Sequence, residues 1–201
     1  MPDYRAIDWT QDPPSQADYE AGWLRSELTL VEKRDQRLSE LTYALSNGGV
    51  DTNSAQFRLD ADPAVAWFLA RRRLGETSFF EDFFAHPVVR DYGLPEGGAD
   101  RDAPIDFGFK PEGTFLAMGR LAQTVLDGAG AGKFQGDADQ ITALTRGVAD
   151  AAFGGRHGDV TTYVSRACWG PWFNGHELDL SMLWIDPATG MVTVILATGR
   201  Y

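Results

Sequence analysis

The chain predicts an α+β domain in which helices occupy the N-terminal three quarters and pack on a C-terminal antiparallel β-meander. Three observations carry that prediction. Residues 158–201 hold apolar, β-branched runs on either side of Asp186-Pro187-Ala188-Thr189-Gly190, a turn signal, with a third such run ahead of an aromatic loop. Residues 114–127 and 137–153 repeat apolar side chains at helical spacing around a glycine-rich connector. With 201 residues, 43% hydrophobic and 12% aromatic, the chain has the length and apolar content for one domain with a sizeable core.

Residues 1–14 read as an irregular lead-in, because Pro13-Pro14 blocks helix and Ser15 can cap a helix starting just after it. Residues 15–46 read as a helical arm. Leu24, Val31, Leu38 and Leu45 recur every seven residues, with Leu28 and Leu41 near the same stripe. Asp35 falls where the stripe wants an apolar residue, so the arm is one helix or two broken near 33–36. Residues 56–59 read as a short strand. Asp62-Pro63 starts a helix that stops at Gly75, and Thr77 or Ser78 opens another through Phe84. Residues 86–113, rich in proline and glycine, read as a long loop anchored by Ile105, Phe107 and Phe109. In helix 114–127 the expected buried face is Phe115, Met118, Leu121, Ala122 and Val125. In helix 137–153 it is Ile141, Leu144, Val148 and Ala152. The meander strands are expected near 159–167, 177–186 and 191–198. By parity Leu178, Leu180, Met182 and Trp184 share one face of the middle strand, with Leu183 and Ile185 on the other.

Charge narrows the function classes. A net charge of −11 and a pI near 4.6 disfavour direct binding to nucleic acid phosphates and to anionic membranes, and they steer the chain toward a basic protein. The acidic residues of the long loop, Glu96, Asp100, Asp102 and Asp106, are candidates for such a docking face. No uncharged apolar run approaches the length of a membrane span. The start has no basic region followed by an apolar run, and the single cysteine allows no internal disulfide. A cytoplasmic location is the expectation.

Residues 128–134, GAGAGKF, resemble a phosphate-binding loop only in Gly132-Lys133. Asp127 stands at the first glycine position, Phe134 replaces the magnesium-binding hydroxyl, and a helix rather than a strand precedes the run. Cys168, His157 and His176 are weak catalytic candidates near the aromatic loop, since a thiol nucleophile needs a base within reach. Cys168 has the parity of Val160, Thr162 and Val164, which predicts an inward, packed thiol. No spacing of metal ligands or cofactor fingerprint is present, so neither a metal nor a cofactor is expected. Asp179 and Asp186 lie ~23 Å apart on one strand, too far for paired-carboxylate glycoside chemistry.

Trp169-Gly170-Pro171-Trp172-Phe173 is a stiff aromatic run that caps the core or recognises a partner. With Asn174, His176 and Glu177 it forms the candidate binding set. These features lead to a non-enzymatic acidic interaction module that binds a basic protein, like an inhibitor or an immunity protein. The alternatives are a hydrolase or transferase using Cys168 or His176, and a small-ligand sensor with a pocket between meander and helices. The sequence does not specify an oligomeric state.

Overall fold

The computed structural model describes Asp8, Phe134 and residues 10–32, 35–94, 106–128 and 136–200. It is an α+β fold built on one six-stranded sheet. The strands are β1 (Glu27–Leu30), β2 (Val50–Asp60), β3 (Lys110–Glu112), β4 (Thr161–Ser165), β5 (Leu180–Asp186) and β6 (Met191–Gly199). Their order is β1-β2-β6-β5-β4-β3, and every neighbouring pair is antiparallel. The meander β4–β5–β6 therefore forms the middle of the sheet, and strands that precede it in the chain extend it at both edges.

The helices are α1 (Gln16–Trp23), α2 (Gln36–Asn47), α3 (Pro63–Ala70), α4 (Phe79–Ala85), α5 (Pro87–Asp91), α6 (Thr114–Asp127) and α7 (Ala138–Phe153). Their ends obey local chemistry. Ser15 and Asp18 form a capping box on α1, and Asp137 and Gln140 form another on α7. Asp62 caps α3 ahead of Pro63, and Gly154 closes α7 in the left-handed region.

The sheet is covered on both sides. Phe57, Tyr163, Leu183, Ile185, Val192, Val194 and Leu196 face a cluster supplied by α1, α3, α4, α5 and the aromatic loop. Leu180, Met182, Trp184, Ile195 and Ala197 face a second cluster supplied by α2, α6 and α7. The parity read for β5 holds: Met182 and Trp184 lie on one face, Leu183 and Ile185 on the other. Gly190 has φ +65°, as the β5–β6 turn requires, and its carbonyl accepts the amide of Leu59 on β2.

Four sequence expectations are corrected. The helical arm at 15–46 is two helices with strand β1 between them. Glu27-Leu28-Thr29-Leu30 pairs with Phe57–Asp60, so the ladder of β2 takes this segment out of the helical stripe, and Leu24 is exposed. Asp35 is the cap of α2, its Oδ1 accepting the amide of Arg37 at 2.8 Å. The short strand at 56–59 is eleven residues long. Its polar half, Asp51-Thr52-Asn53-Ser54, is held by pairing with β6 rather than by side-chain preference.

The long loop contains α5, capped by His86, and strand β3. Its centre at 95–105 lies outside the described residues, as does most of the glycine-rich connector. Finally, α6 is rotated from its expected face. Thr114, Ala117, Leu121, Thr124 and Val125 are buried, Met118 and Ala122 are half-buried, and Phe115 is 74% exposed. Thr114 sets that rotation: its hydroxyl donates to the carbonyl of His157 at 3.1 Å and meets the Thr162 hydroxyl at 3.4 Å.

Candidate functional site

The aromatic loop joins β4 to β5 and packs inward. Trp169 and Phe173 are buried, and Trp169 packs at a tilt among Phe84, Phe107 and Phe173 at ring separations of 4.8–5.0 Å. The indole Nε1 of Trp169 donates to the Ser181 hydroxyl at 2.9 Å, so even its polar edge serves the core. Trp172 is half-buried, edge-on to Phe173 at 5.0 Å, and is the ring of this run that reaches the surface. Asn174 is exposed at its surface, but its amide group ties the loop to the carbonyl of Gly199 at 2.8 Å. Glu177 is exposed and its carbonyl accepts from Arg166 at 2.9 Å.

The three weak catalytic candidates do not form one constellation. Cys168 is exposed, which corrects the inward packing expected from parity. Strand β4 ends at Ser165, so its alternation stops three residues before the thiol. The sulfur lies 3.4 Å from the carbonyl oxygen of Phe173, in hydrogen-bonding contact. His176 accepts the amide of Leu178 on Nδ1, and its ring lies against Gly199, where a Cβ would meet it at 2.5 Å. Both residues sit at the end of the meander where Ser165 pairs with Ser181 and Leu180 with Ala197. His157 sits at the other end, ahead of the rung joining Thr161 to Ile185, stacked on Phe115 and 3.6 Å from Asp150.

The two carboxylates weighed for paired chemistry are structural. Buried Asp179 accepts from Thr198 at 2.6 Å and from the His176 amide at 3.1 Å. Buried Asp186 accepts from the two terminal guanidinium nitrogens of Arg156 at 3.0 and 2.5 Å and orders the turn by accepting from the Ala188 amide and the Thr189 hydroxyl. Among the described residues, no cluster of three or more His, Cys, Asp or Glu is placed to hold a metal, and no helix is long and apolar enough to cross a membrane.

Of the acidic residues proposed for docking, Asp106 is exposed and accepts the amide of Gly108. Glu96, Asp100 and Asp102 lie outside the described residues. A second acidic surface, not singled out from the sequence, forms where α1 meets α4. Glu20 and Glu81 are exposed there, and Asp82 is half-buried beside them, while Asp12 and Asp18 are exposed on the α3 side of α1, in a hollow they share with Arg25 and Asp62. Burial holds the Asp82 carboxyl above the usual range, and the nearby charge of Glu20 adds to the rise. Burial likewise pushes the Tyr19 phenol far up, with Asp82 and Glu81 contributing. The sequence signal for this surface is the spacing of acids in two segments about 60 residues apart, which only the fold brings together.

Comparison with protein-family models, with curated proteins and with solved structures gives no match to this chain.

Proposed function

We propose that the chain is a non-enzymatic interaction module that binds a basic protein, in the manner of an inhibitor or immunity protein. The observation that supports this reading is the disposition of charge. Five arginines, Arg25, Arg73, Arg120, Arg156 and Arg200, are paired with carboxylates, and Arg37, Arg72 and Arg166 donate to backbone carbonyls. The fold engages these cations internally, while Glu20 and Glu81 remain exposed on the α1/α4 surface and Asp12 is exposed on the α3 side of α1. Such a field accelerates encounter with a basic protein and repels phosphate polymers.

The test compares two immobilised baits, the native chain and a variant carrying Asp12→Asn, Glu20→Gln and Glu81→Gln. A basic protein retained by the native bait at low ionic strength, released by salt and not retained by the variant is the expected result. No basic protein, or equal retention by both baits, would contradict it. Trp172 is the companion anchor. Trp172→Ala should then shorten the lifetime of the complex with little change in melting temperature.

A further inference from the structure

The outward face of α6 is apolar, where a surface helix of an acidic chain is expected to be charged. Three of the five large hydrophobic side chains exposed among the described residues lie on it: Phe115 at 74%, Leu116 at 58% and Leu126 at 48%. Gly119 and Gln123 are exposed between them, and Met118 and Ala122 are half-buried along the edge that borders α7. Asp127 is the one charged residue among the exposed positions of α6. Arg120 is half-buried and held by Glu112, its Nε 2.6 and 2.9 Å from the two carboxylate oxygens. The chain's net charge of −11 is carried elsewhere. A contiguous exposed apolar patch of this kind marks a contact surface.

Its pattern fits a second copy of the same helix. Phe115, Gly119, Ala122 and Leu126 are spaced four, three and four residues apart, which is the seam along which two helices pack. Their sizes run large, small, small, large. That order reads the same in both directions, as a surface that meets itself across a two-fold axis requires. With the axis between Gly119 and Ala122, the two α6 helices run antiparallel. Gly119 of one copy then lies opposite Ala122 of the other, and Phe115 lies opposite Leu126. The small residues let the backbones approach at the centre, and the large ones close the two ends.

Two further observations point the same way. A Cβ built at Gly119 meets nothing within 4 Å, and Gly119 is not among the glycines at positive φ. Packing and backbone within the chain therefore do not require glycine there, although glycine weakens a helix interior. Close approach by a second helix does require it. Charge is complementary as well. The α6 N-terminus has no side-chain cap, and its last turn holds no basic residue, so Asp127 faces the negative end of its own dipole. In the antiparallel pair each Asp127 lies beside the first turn of the other helix, at the positive end.

We propose that α6 is the contact of a homodimer, two copies of this chain packed antiparallel through Phe115, Gly119, Ala122 and Leu126. A pair of fourteen-residue helices, each about 21 Å long, lies at the small end of specific interfaces, so the dimer is a reversible one. The inference is independent of the basic-protein reading. Helix α6 covers the sheet face opposite α1 and α4, so dimerisation leaves the acidic surface free.

The experiment is sedimentation velocity on the full chain from low to high micromolar concentration, with melting temperatures read at the dilute end. The native chain is expected to pass reversibly from monomer to dimer. Gly119→Glu should raise the dissociation constant about tenfold or more, because like charges meet near the axis, and should leave the dilute melting temperature unchanged or raised. Asp127→Asn should raise the dissociation constant about threefold or more, through the loss of two dipole contacts. Phe115→Lys and Leu126→Glu should each weaken the dimer. The double variant should dimerise more tightly than either, since the lysine of one copy meets the glutamate of the other. The Asp12→Asn, Glu20→Gln, Glu81→Gln variant should dimerise at least as well as the native chain. If Gly119→Glu fails to fold, the Phe115 and Leu126 variants carry the test. A monomer at every concentration, full affinity in a folded Gly119→Glu variant, or a double variant no tighter than either single one would each overturn the proposal.

Discussion

The two faces of the sheet are built from different materials. One is aromatic: Tyr19, Phe57, Trp67, Phe68, Phe79, Phe80, Phe83, Phe84, Phe107, Tyr163, Trp169 and Phe173 are buried there. The other is largely aliphatic, with Phe153 and Trp184 as its buried rings among leucine, valine and alanine. The helices differ in step. Those on the aromatic face are five to eight residues long, and those on the aliphatic face are twelve to sixteen. A short helix offers few positions to the core, so each must bury a large side chain, and rings bury about 150–250 Å² apiece. A long helix reaches the same cover with an i, i+3, i+4 stripe of smaller residues. The acidic α1/α4 surface and the candidate anchor Trp172 both lie on the aromatic side.

The largest expected effect tests the aliphatic face. Trp184 is 1% exposed, and Trp184→Ala should destabilise the fold by about 3–5 kcal/mol in denaturant titration. A loss under ~1 kcal/mol would show that this face does not depend on its one large sheet residue.

Coupling sharpens the comparison. Phe79 and Phe83 stack at 5.7 Å, and Phe83 also meets Phe57 and Phe84 edge-on. A double-mutant cycle of Phe79→Leu and Phe83→Leu should depart from additivity by roughly 0.5–3 kcal/mol. The cycle of Phe83→Leu with Trp184→Phe, on opposite faces, should add within about 0.5 kcal/mol. Equal coupling in both cycles would dissolve the distinction between the two cores.

A smaller effect belongs to the turn that joins β5 to β6. Gly190 requires positive φ, which a β-branched residue resists. Gly190→Val should cost about 1–2 kcal/mol more than Ala188→Val. Equal costs would mean that the turn relaxes without penalty.

Asp82 gives a pH-dependent effect on the aromatic side. Its folded-state carboxyl is raised above the ordinary 3.8 by burial, then by Glu20. The protonated form is therefore favoured by folding. That contribution is fully present below the unfolded value and is lost as pH rises through the folded one. Asp82→Asn, which can still accept from Ser78, should raise the melting temperature at neutral pH and reduce the gain on mild acidification. An unchanged pH profile would remove Asp82 as the source.

How far the fold is legible in the sequence depends on the same division. Helices α6 and α7 and the meander are legible because their periodicities run long enough to be distinctive. The face of α6 departs from its stripe because Thr114, a polar residue, fixes its rotation through His157 and Thr162. Phe79-Phe80-Phe83-Phe84 marks a helix without showing its partners, since a segment apolar on most sides has no stripe to read. Strand β1 is hidden inside a heptad repeat, because its pairing with β2 is a long-range contact that local spacing does not encode. In the candidate site, Trp172 is half-buried and Asp106 is exposed. Trp169 and Phe173 belong to the core, and the α1/α4 carboxylates become neighbours only after folding.

The exposed carboxylates Asp12, Glu20 and Glu81, on this reading, are present for contact with a partner and not for the fold. Asp12 and Glu81 are exposed, and Glu20 adds an unfavourable charge beside Asp82. The melting temperature of the Asp12→Asn, Glu20→Gln, Glu81→Gln variant at neutral pH and low ionic strength tests this most directly. An unchanged or higher value is expected, because charge crowding is relieved and no buried bond is broken. A fall of several degrees would contradict it, because these carboxylates would then be structural.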